Sequence, residues 1–330
     1  MEYTQIPGTG LKVSRISLGT WAMGGWMWGG TDEAQAIKTI HTAIDKGINL
    51  IDTAPVYGFG RSEQIVGRAL ALKKCRDKVC ISTKTGLDWQ DGKVFRNCSP
   101  EFIRRNVADS LKNLQTDFLD ILFVHWPDPL EPFEETGKVM AQLLKEGTIR
   151  AIGVSNYSPE QIEAFQKGGP VHLVQPPYNL FERAIEADLM PFCQKNHVAL
   201  MAYGALCRGL LSGRVTTDRQ YQGDDLRKID PKFKPPRLEQ YLAAVKLLDE
   251  FASKRFDRRV LHLAVRWILD HGGDIALWGG RKPEQLDPVP EISGWRLDQA
   301  ALHAIDQILQ ETIKDPVGPE FMAPPARKQK

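Results

Sequence analysis

Short apolar runs recur along the chain, and most precede a longer stretch in which apolar residues return every three or four positions. The runs are Ile16–Leu18, Ile48–Ile51, Val79–Ser82, Phe118–Val124, Ile149–Gly153, His172–Val174, Val198–Ala202 and Ile275–Trp278. Each is too short for a helix and predicts a buried strand. Asp32–Lys46, Pro100–Asn113, Phe133–Lys145 and Pro159–Gln166 carry the helical period. Thr31 and Ser99 stand where helix N-caps belong, and Gly47 and Gly147 where helices stop. Strand and helix alternating eight times require a parallel sheet, because each return to the sheet crosses over through a helix. Eight such units predict an α/β fold closed into a (β/α)8 TIM barrel. An open doubly wound sheet is the alternative. The G-x-G-x-x-G turn that marks it after a first strand is absent, and Gly58-Phe59-Gly60 reads as a plain turn.

The flanking segments complete this picture. Tyr3–Ile6 and Lys12–Ser14, separated by Pro7-Gly8-Thr9-Gly10, predict a β-hairpin within residues 1–15 that plugs the barrel bottom. Residues 204–237 are rich in Gly, Asp, Arg and Pro with weak periodicity, and predict a long functional loop. Leu238–His271 predicts two helices, of which Arg258–Asp270 has the clearer period. Residues 316–330, with Pro319, Pro324 and Pro325, predict an arm over the surface, and Arg327-Lys328-Gln329-Lys330 a frayed basic tail. Residues 1–330 read as one domain.

Composition narrows the function. Of 330 residues, 42% are hydrophobic and 25% charged, which is ordinary for a globular chain. A net charge of +2 with mixed signs leaves no nucleic-acid footprint. No apolar run approaches the ~18 residues of a membrane span, and MEYTQIPGTG lacks the features of a secretory signal. Cys75, Cys80, Cys98, Cys193 and Cys207 form no C-x-x-C pair and read as free thiols in a reducing compartment, so a cytoplasmic location and no metal centre are expected.

Polar residues collect directly after the apolar runs. Asp52 follows Ile51, with Tyr57 five residues on. Lys84 follows Thr83, His125 follows Val124, Ser155 and Asn156 follow Val154, and Gln175 follows Val174. Tyr203 follows Ala202, and Gly279-Gly280-Arg281 follows Trp278. In a barrel all of these lie at the C-terminal face, where active sites are built. Taken singly, Asp52 reads as a turn residue, Lys84 as solvated, His125 as a core histidine and Tyr57 as a loop aromatic. Together they share a chemistry. A lysine cation beside a tyrosine lowers a phenol pKa of ~10 by roughly one to three units. Asp52 supplies the lysine counter-ion, and His125 polarises a carbonyl oxygen. Tyr57 then donates a proton to that oxygen as hydride reaches the carbonyl carbon.

Asp52-Thr53-Ala54…Tyr57-Gly58, Ser82-Thr83-Lys84, Asp120…His125-Trp126-Pro127-Asp128 and Gly153-Val154-Ser155-Asn156 resemble the signatures of the aldo-keto reductase superfamily. The resemblance runs from the hairpin to Gln285 and is nearest to bacterial reductases related to potassium-channel β subunits. It implies NADP(H) bound without a Rossmann motif and a catalytic set of Asp52, Tyr57, Lys84 and His125. It implies that Ser155, Asn156 and Gln175 hold the nicotinamide carboxamide and that the ring stacks on Tyr203. Thr20 and Trp21 border the same site. Gly204, Ala205, Leu206, Gly209 and Leu210 match the loop over the pyrophosphate, where Arg214 is either a further charge or an ordinary surface arginine. Gly279, Arg281 and Gln285 match the adenosine end. The chain departs from the family there, with Pro288-Val289 in place of a Glu-Asn pair, so NAD(H) stays open beside NADP(H). Gly204 also replaces the usual serine.

Trp21, Trp26, Trp28, Phe59, Trp89 and Trp126 fall in the top loops and are expected to line the substrate pocket. Gly24–Gly30 is an aromatic loop framed by glycines, which predicts mobility. The expected substrate is a sugar, polyol or small aldehyde, and the expected assembly a monomer or homo-oligomer. A cofactor-bound regulatory subunit resembling channel β subunits is the alternative from another class, and a barrel isomerase or lyase the third reading.

Overall fold

The computed structural model describes residues 1–327; of the expected basic tail, Lys328 to Lys330 lie outside the described residues. Strands β1 (Tyr3–Gln5) and β2 (Lys12–Ser14) form an antiparallel hairpin. The chain then runs β3 (Ile16–Gly19), α1 (Trp21–Gly24), α2 (Glu33–Asp45), β4 (Leu50–Asp52), α3 (Arg61–Lys73) and β5 (Cys80–Thr85). A second hairpin, β6 (Leu87–Gln90) with β7 (Lys93–Arg96), precedes α4 (Pro100–Leu114) and β8 (Ile121–Val124). Next come α5 (Phe133–Lys145), β9 (Ile152–Ser155), α6 (Pro159–Gln166), β10 (Leu173–Gln175), α7 (Leu189–Asn196) and β11 (Ala199–Ala202). After a long irregular segment follow α8 (Arg237–Phe256), α9 (Val260–Asp270), β12 (Ile275–Gly279) and α10 (Gln299–Thr312). Eight parallel strands close into a barrel in the order β3-β4-β5-β8-β9-β10-β11-β12, the (β/α)8 TIM barrel.

Two apolar cores hold it. Inside the barrel, Leu50, Ile121, Phe123, Leu173, Met201 and Ile275 pack with Ile6, Leu11 and Val13 of the first hairpin, which closes the bottom as expected. The larger core lies between strands and helices. The interior is tight. A Cβ on Gly153 would lie 2.2 Å from the Phe123 ring, so β9 must carry glycine opposite that side chain.

All eight expected strands exist, but several extend one to three residues further toward their C-terminal ends. Asp52, Lys84, Ser155, Gln175 and Gly279 are therefore strand residues and not the first residues of loops. Parallel ladders bond backbone to backbone, so pairing continues through polar side chains after the apolar run has ended. The cap of α2 is Asp32, which accepts from Gln35 N at 3.0 Å, and not Thr31. Ser99 holds the N-cap position of α4, but its hydroxyl donates to Asn97. The β6–β7 hairpin had no expected counterpart. Its Asp91-Gly92 turn, with both residues at positive φ, is a standard hairpin signal that was there to be read.

The segment between β11 and α8 is fastened by a buried charge network absent from the sequence reading. Arg208 donates to Asp230 at 2.5 Å and pairs with Glu182, and Lys232 reaches Glu182 at 2.9 Å. All four side chains are at most 4% exposed. Burial disfavours the Glu182 carboxylate, but Arg208 and Lys232 outweigh it and hold its pKa below the usual range. Removing one member strands a buried charge. Glu182→Gln is expected to lower unfolding stability by about 3–5 kcal/mol. It should also raise hydrogen exchange first in residues 207–233, as native-state exchange would show.

Candidate active site

A cavity of about 820 Å³ opens at the C-terminal end of the strands. That is the usual size and place for a small-molecule site in this architecture. Its floor is set by a buried ion pair. Lys84 Nζ donates to Asp52 Oδ2 at 2.6 Å and to Thr53 O at 2.9 Å, and the two side chains are 1% and 3% exposed. Asp52 Oδ1 also accepts from Ser82 Oγ at 2.8 Å and Gln175 Nε2 at 3.0 Å. Strands β4, β5 and β10 thus converge on one carboxylate. Lys84 does not enter the mouth, contrary to expectation; it lies beneath the lining, where its charge is tolerable because it is paired and hydrogen-bonded.

Tyr57 stands above this pair. Lys84 Nζ lies 5.1 Å from its ring centroid, on the face of the ring, and His125 meets it edge-on at 5.8 Å. Trp21 stacks on the other side at 5.7 Å. Two glycines bring the Tyr57 turn against α1. A Cβ on Gly24 would lie 2.4 Å from Tyr57 O, and one on Gly58 2.2 Å from Gly24 O. Gly58 also has φ +70°, so the supposed plain turn is a constrained contact that orients Tyr57.

The electrostatics differ from the expected lowering of the phenol pKa. Burial raises Tyr57 well above its ordinary value, with Asp52 and Tyr203 adding in the same direction. Lys84 donates its hydrogen bonds to Asp52 and Thr53 and lies over the Tyr57 ring. Burial also depresses His125 well below its usual range, assisted by the Lys84 charge. At neutral pH the mouth therefore presents a protonated phenol beside a neutral imidazole. Burial lowers Lys84 too, against the pull of Asp52.

The remaining expected residues divide. Thr20, Trp21, Ser155, Asn156, Gln175, Tyr203, Gly204, Ala205, Leu206, Gly209, Arg214, Gly279, Arg281 and Gln285 all line the cavity. Leu210 does not; it is fully buried in the core. Several lining side chains are bonded to one another. Thr20 donates to Asp52 O, Ser155 donates to Gln175 O, and Asn156 donates to His125 O. Tyr203 donates to Asn156 Oδ1 at 2.9 Å, which pins its ring. Gln285 Oε1 caps the turn at Arg281 N and Lys282 N, and the Arg281 guanidinium donates to Trp28 O at 2.9 Å.

Among the aromatics, Trp21, Trp26, Trp28 and Trp126 line the cavity. Phe59 and Trp89 do not; they stack behind Trp26 in a row at 5.3 and 5.4 Å. The Gly24–Gly30 loop, expected to be mobile, is tied across the mouth. Asp224 accepts from Met27 N at 2.7 Å and Gly29 N at 3.1 Å, and Leu226 N donates to Met27 O. Sequence reasoning missed Arg208, Arg219, Tyr221, Arg227, Met322 and Pro324, which also line the cavity. The two arm residues have no local signal, because only the path of the arm brings them there. Arg327, expected in a frayed tail, bonds Asn97 at 2.6 Å and pairs with Glu131. Asp120, part of the recognised motif, sits at the opposite end of the barrel, held by Arg76 at 2.9 Å and Arg150 at 3.2 Å.

Among the described residues, no group of three or more His, Cys, Asp or Glu could hold a metal, and no helix is long and apolar enough to cross a membrane.

Comparison with known proteins follows the same lines. A profile described as the Aldo/keto reductase family matches residues 15–310. The aldo-keto reductase YhdN of Bacillus subtilis is 55% identical over 330 residues, the full length of both chains. The NADH-specific methylglyoxal reductase of Escherichia coli is 38% identical over 304 residues, 87% of this chain and 91% of its own. The structure of a glycerol dehydrogenase from Gluconobacter oxydans superposes with a TM-score of 0.88 at 48% identity, covering 97% of this chain and 99% of that one. With its barrel, its converging strand ends and full-length relatives in agreement, the chain belongs to the aldo/keto reductase family of oxidoreductases.

Proposed function

We propose that the protein is an NADP(H)-dependent oxidoreductase that moves hydride between nicotinamide and an aldehyde or ketone, with Tyr57 exchanging the proton on the substrate oxygen. The observation that carries this reading is the placement of Tyr57 at the cavity wall, edge-on to His125 at 5.8 Å and over the buried Lys84–Asp52 pair.

The cavity fits a dinucleotide. The indole N–H groups of Trp21 and Trp28 and the hydroxyl of Tyr221 are buried around it without a protein partner, as groups awaiting a ligand are. Its outer end is lined by Arg214, Arg219, Arg227, Arg281 and Lys282, with Glu284 the one carboxylate among the lining residues there. Asp225 nearby is taken up by Arg227. That excess of positive charge favours a cofactor with an additional phosphate, hence NADP(H), although the E. coli relative is named as NADH-specific.

When bound, the reduced nicotinamide supplies the hydride. Tyr203, held by Asn156, offers a fixed ring face for stacking. His125 donates a hydrogen bond to the carbonyl oxygen, and Tyr57 gives that oxygen its proton as the carbon is reduced. Lys84 stabilises the phenolate left behind. A phenol that keeps its proton above the ordinary range suits reduction better than alcohol oxidation. On the substrate side, Trp26, Val56, Leu87, Val94 and Trp126 make an apolar wall. Among the described residues no carboxylate or cation belongs to this apolar group, which favours neutral aldehydes over carboxylate- or phosphate-bearing ones.

Tyr57→Phe is expected to reduce kcat for aldehyde reduction by about 10²–10⁴-fold and to leave the NADPH dissociation constant within about twofold. Steady-state kinetics and fluorescence titration with NADPH and NADH check both points, and comparable affinity for the two cofactors would argue against NADP(H) selection. The pH dependence is a separate expectation. His125 is depressed, so it stays neutral down through pH 6.5, and Tyr57 is raised, so it stays protonated past pH 10. The kcat/KM profile should be flat between these limits, and a limb centred near pH 6.5 that vanishes in His125→Gln would contradict this assignment.

A further inference from the structure

Among its described residues, the C-terminal arm has no helix or ladder longer than the single 3-10 turn Glu320–Met322 and an isolated bridge at Ala326. Its residues Met322 and Pro324 nevertheless line the cavity, as do Leu87 and Val94 of the β6–β7 hairpin and Trp126 after β8. One side chain joins these three segments. Arg96, at the end of β7, donates from Nε to Pro324 O at 2.8 Å and from NH1 to Pro127 O at 3.1 Å. Its guanidinium lies over the Trp126 ring at 5.4 Å. Its backbone N–H donates to Pro325 O at 2.9 Å, and Arg96 forms an isolated parallel bridge with Ala326.

We propose that Arg96 is a specificity-determining positioning residue, which clasps the arm to the β6–β7 hairpin and so makes Met322 a fixed wall of the substrate side. This inference rests on the carbonyl-reducing function proposed above. The physical reason is the proline content of the arm. Pro324 and Pro325 have no N–H to give, so this stretch can be held only through its carbonyls. A planar guanidinium holds its Nε and NH1 donors in a fixed fork toward the two carbonyls while stacking on an indole, a geometry that the single Nζ of a lysine does not reproduce. Lys232, which donates to Gly318 O at 3.1 Å, and Arg327 secure the arm on either side of the wall. Between them the Arg96 side chain holds Pro324 O, so its loss loosens the part that lines the cavity while the backbone bond to Pro325 O remains.

The test is a kinetic comparison of propanal, hexanal, benzaldehyde and 2-naphthaldehyde with the wild type, Arg96→Ala, Arg96→Lys and Met322→Ala. Arg96→Ala and Met322→Ala should each raise kcat/KM for 2-naphthaldehyde relative to propanal by about tenfold, chiefly through KM. The NADPH dissociation constant should stay within about twofold. Because both act on one wall, the double variant should shift selectivity no further than the larger single one. Arg96→Lys, which keeps the charge but not the two-carbonyl grip, should shift it the same way, and it serves if Arg96→Ala does not fold. An unchanged size profile in both Arg96 variants, or an NADPH constant that moves as far as the aldehyde KM, overturns the proposal. A wild type that binds NADPH but reduces none of the four overturns the function it rests on, and this inference with it.

Discussion

The buried pair of Lys84 and Asp52 is the interaction on which the rest of the site depends. Two charges this far from water are costly, and attraction alone seldom compensates for the lost hydration. Here further hydrogen bonds support both charges. Thr53 O takes a second ammonium proton, and Ser82 and Gln175 donate to the carboxylate. These partners come from the ends of β4, β5 and β10, so the pair is held only if the barrel is closed and in register. Its position below Tyr57 then determines the chemistry above. Burial, assisted by the ammonium, depresses His125 and favours its neutral form, while burial and the nearby carboxylate favour the protonated phenol of Tyr57.

Around that rigid floor the mouth is built from loops, and charged or polar groups fasten each of them in addition to apolar packing. Asp224 ties the Gly24–Gly30 loop to the segment after β11 through two backbone N–H groups. Arg281 bonds the same loop from the far side. The network of Arg208, Glu182, Asp230 and Lys232 fixes the segment itself, and Lys232 carries the connection on to the arm. Arg96 closes the circle on the substrate side. Such fastening suits an active-site mouth. Irregular backbone leaves many groups without ladder partners, and a side chain with several donors or acceptors can satisfy them at defined positions. The apolar faces of Trp26, Val94 and Met322 are then left for the substrate.

Much of this was legible in the chain. Eight apolar runs alternating with helical periods specified a closed parallel barrel, and the hairpin before them specified its plug. Asp52, Tyr57, Lys84 and His125 were identifiable because each follows an apolar run, and in a barrel such residues share one face. The limits of legibility were also physical. Strand ends ran past the apolar residues because backbone pairing is indifferent to the side chain, which moved Lys84 from the mouth to the floor. Phe59 and Trp89 could not be told from pocket aromatics, since stacking behind Trp26 is a property of three segments together.

By itself, then, the sequence determined the architecture and which polar groups gather at the C-terminal face of the barrel, because periodicity and residue type act locally. Tertiary structure alone decided their protonation and the shape of the space they face. The pKa of Tyr57 follows from what surrounds it, and its direction was opposite to the one a neighbouring lysine suggests. The cavity wall contains Pro324, more than 200 residues from Arg96, which helps to hold it. Burial and long-range contact are sums over the whole fold, and no window of sequence contains them.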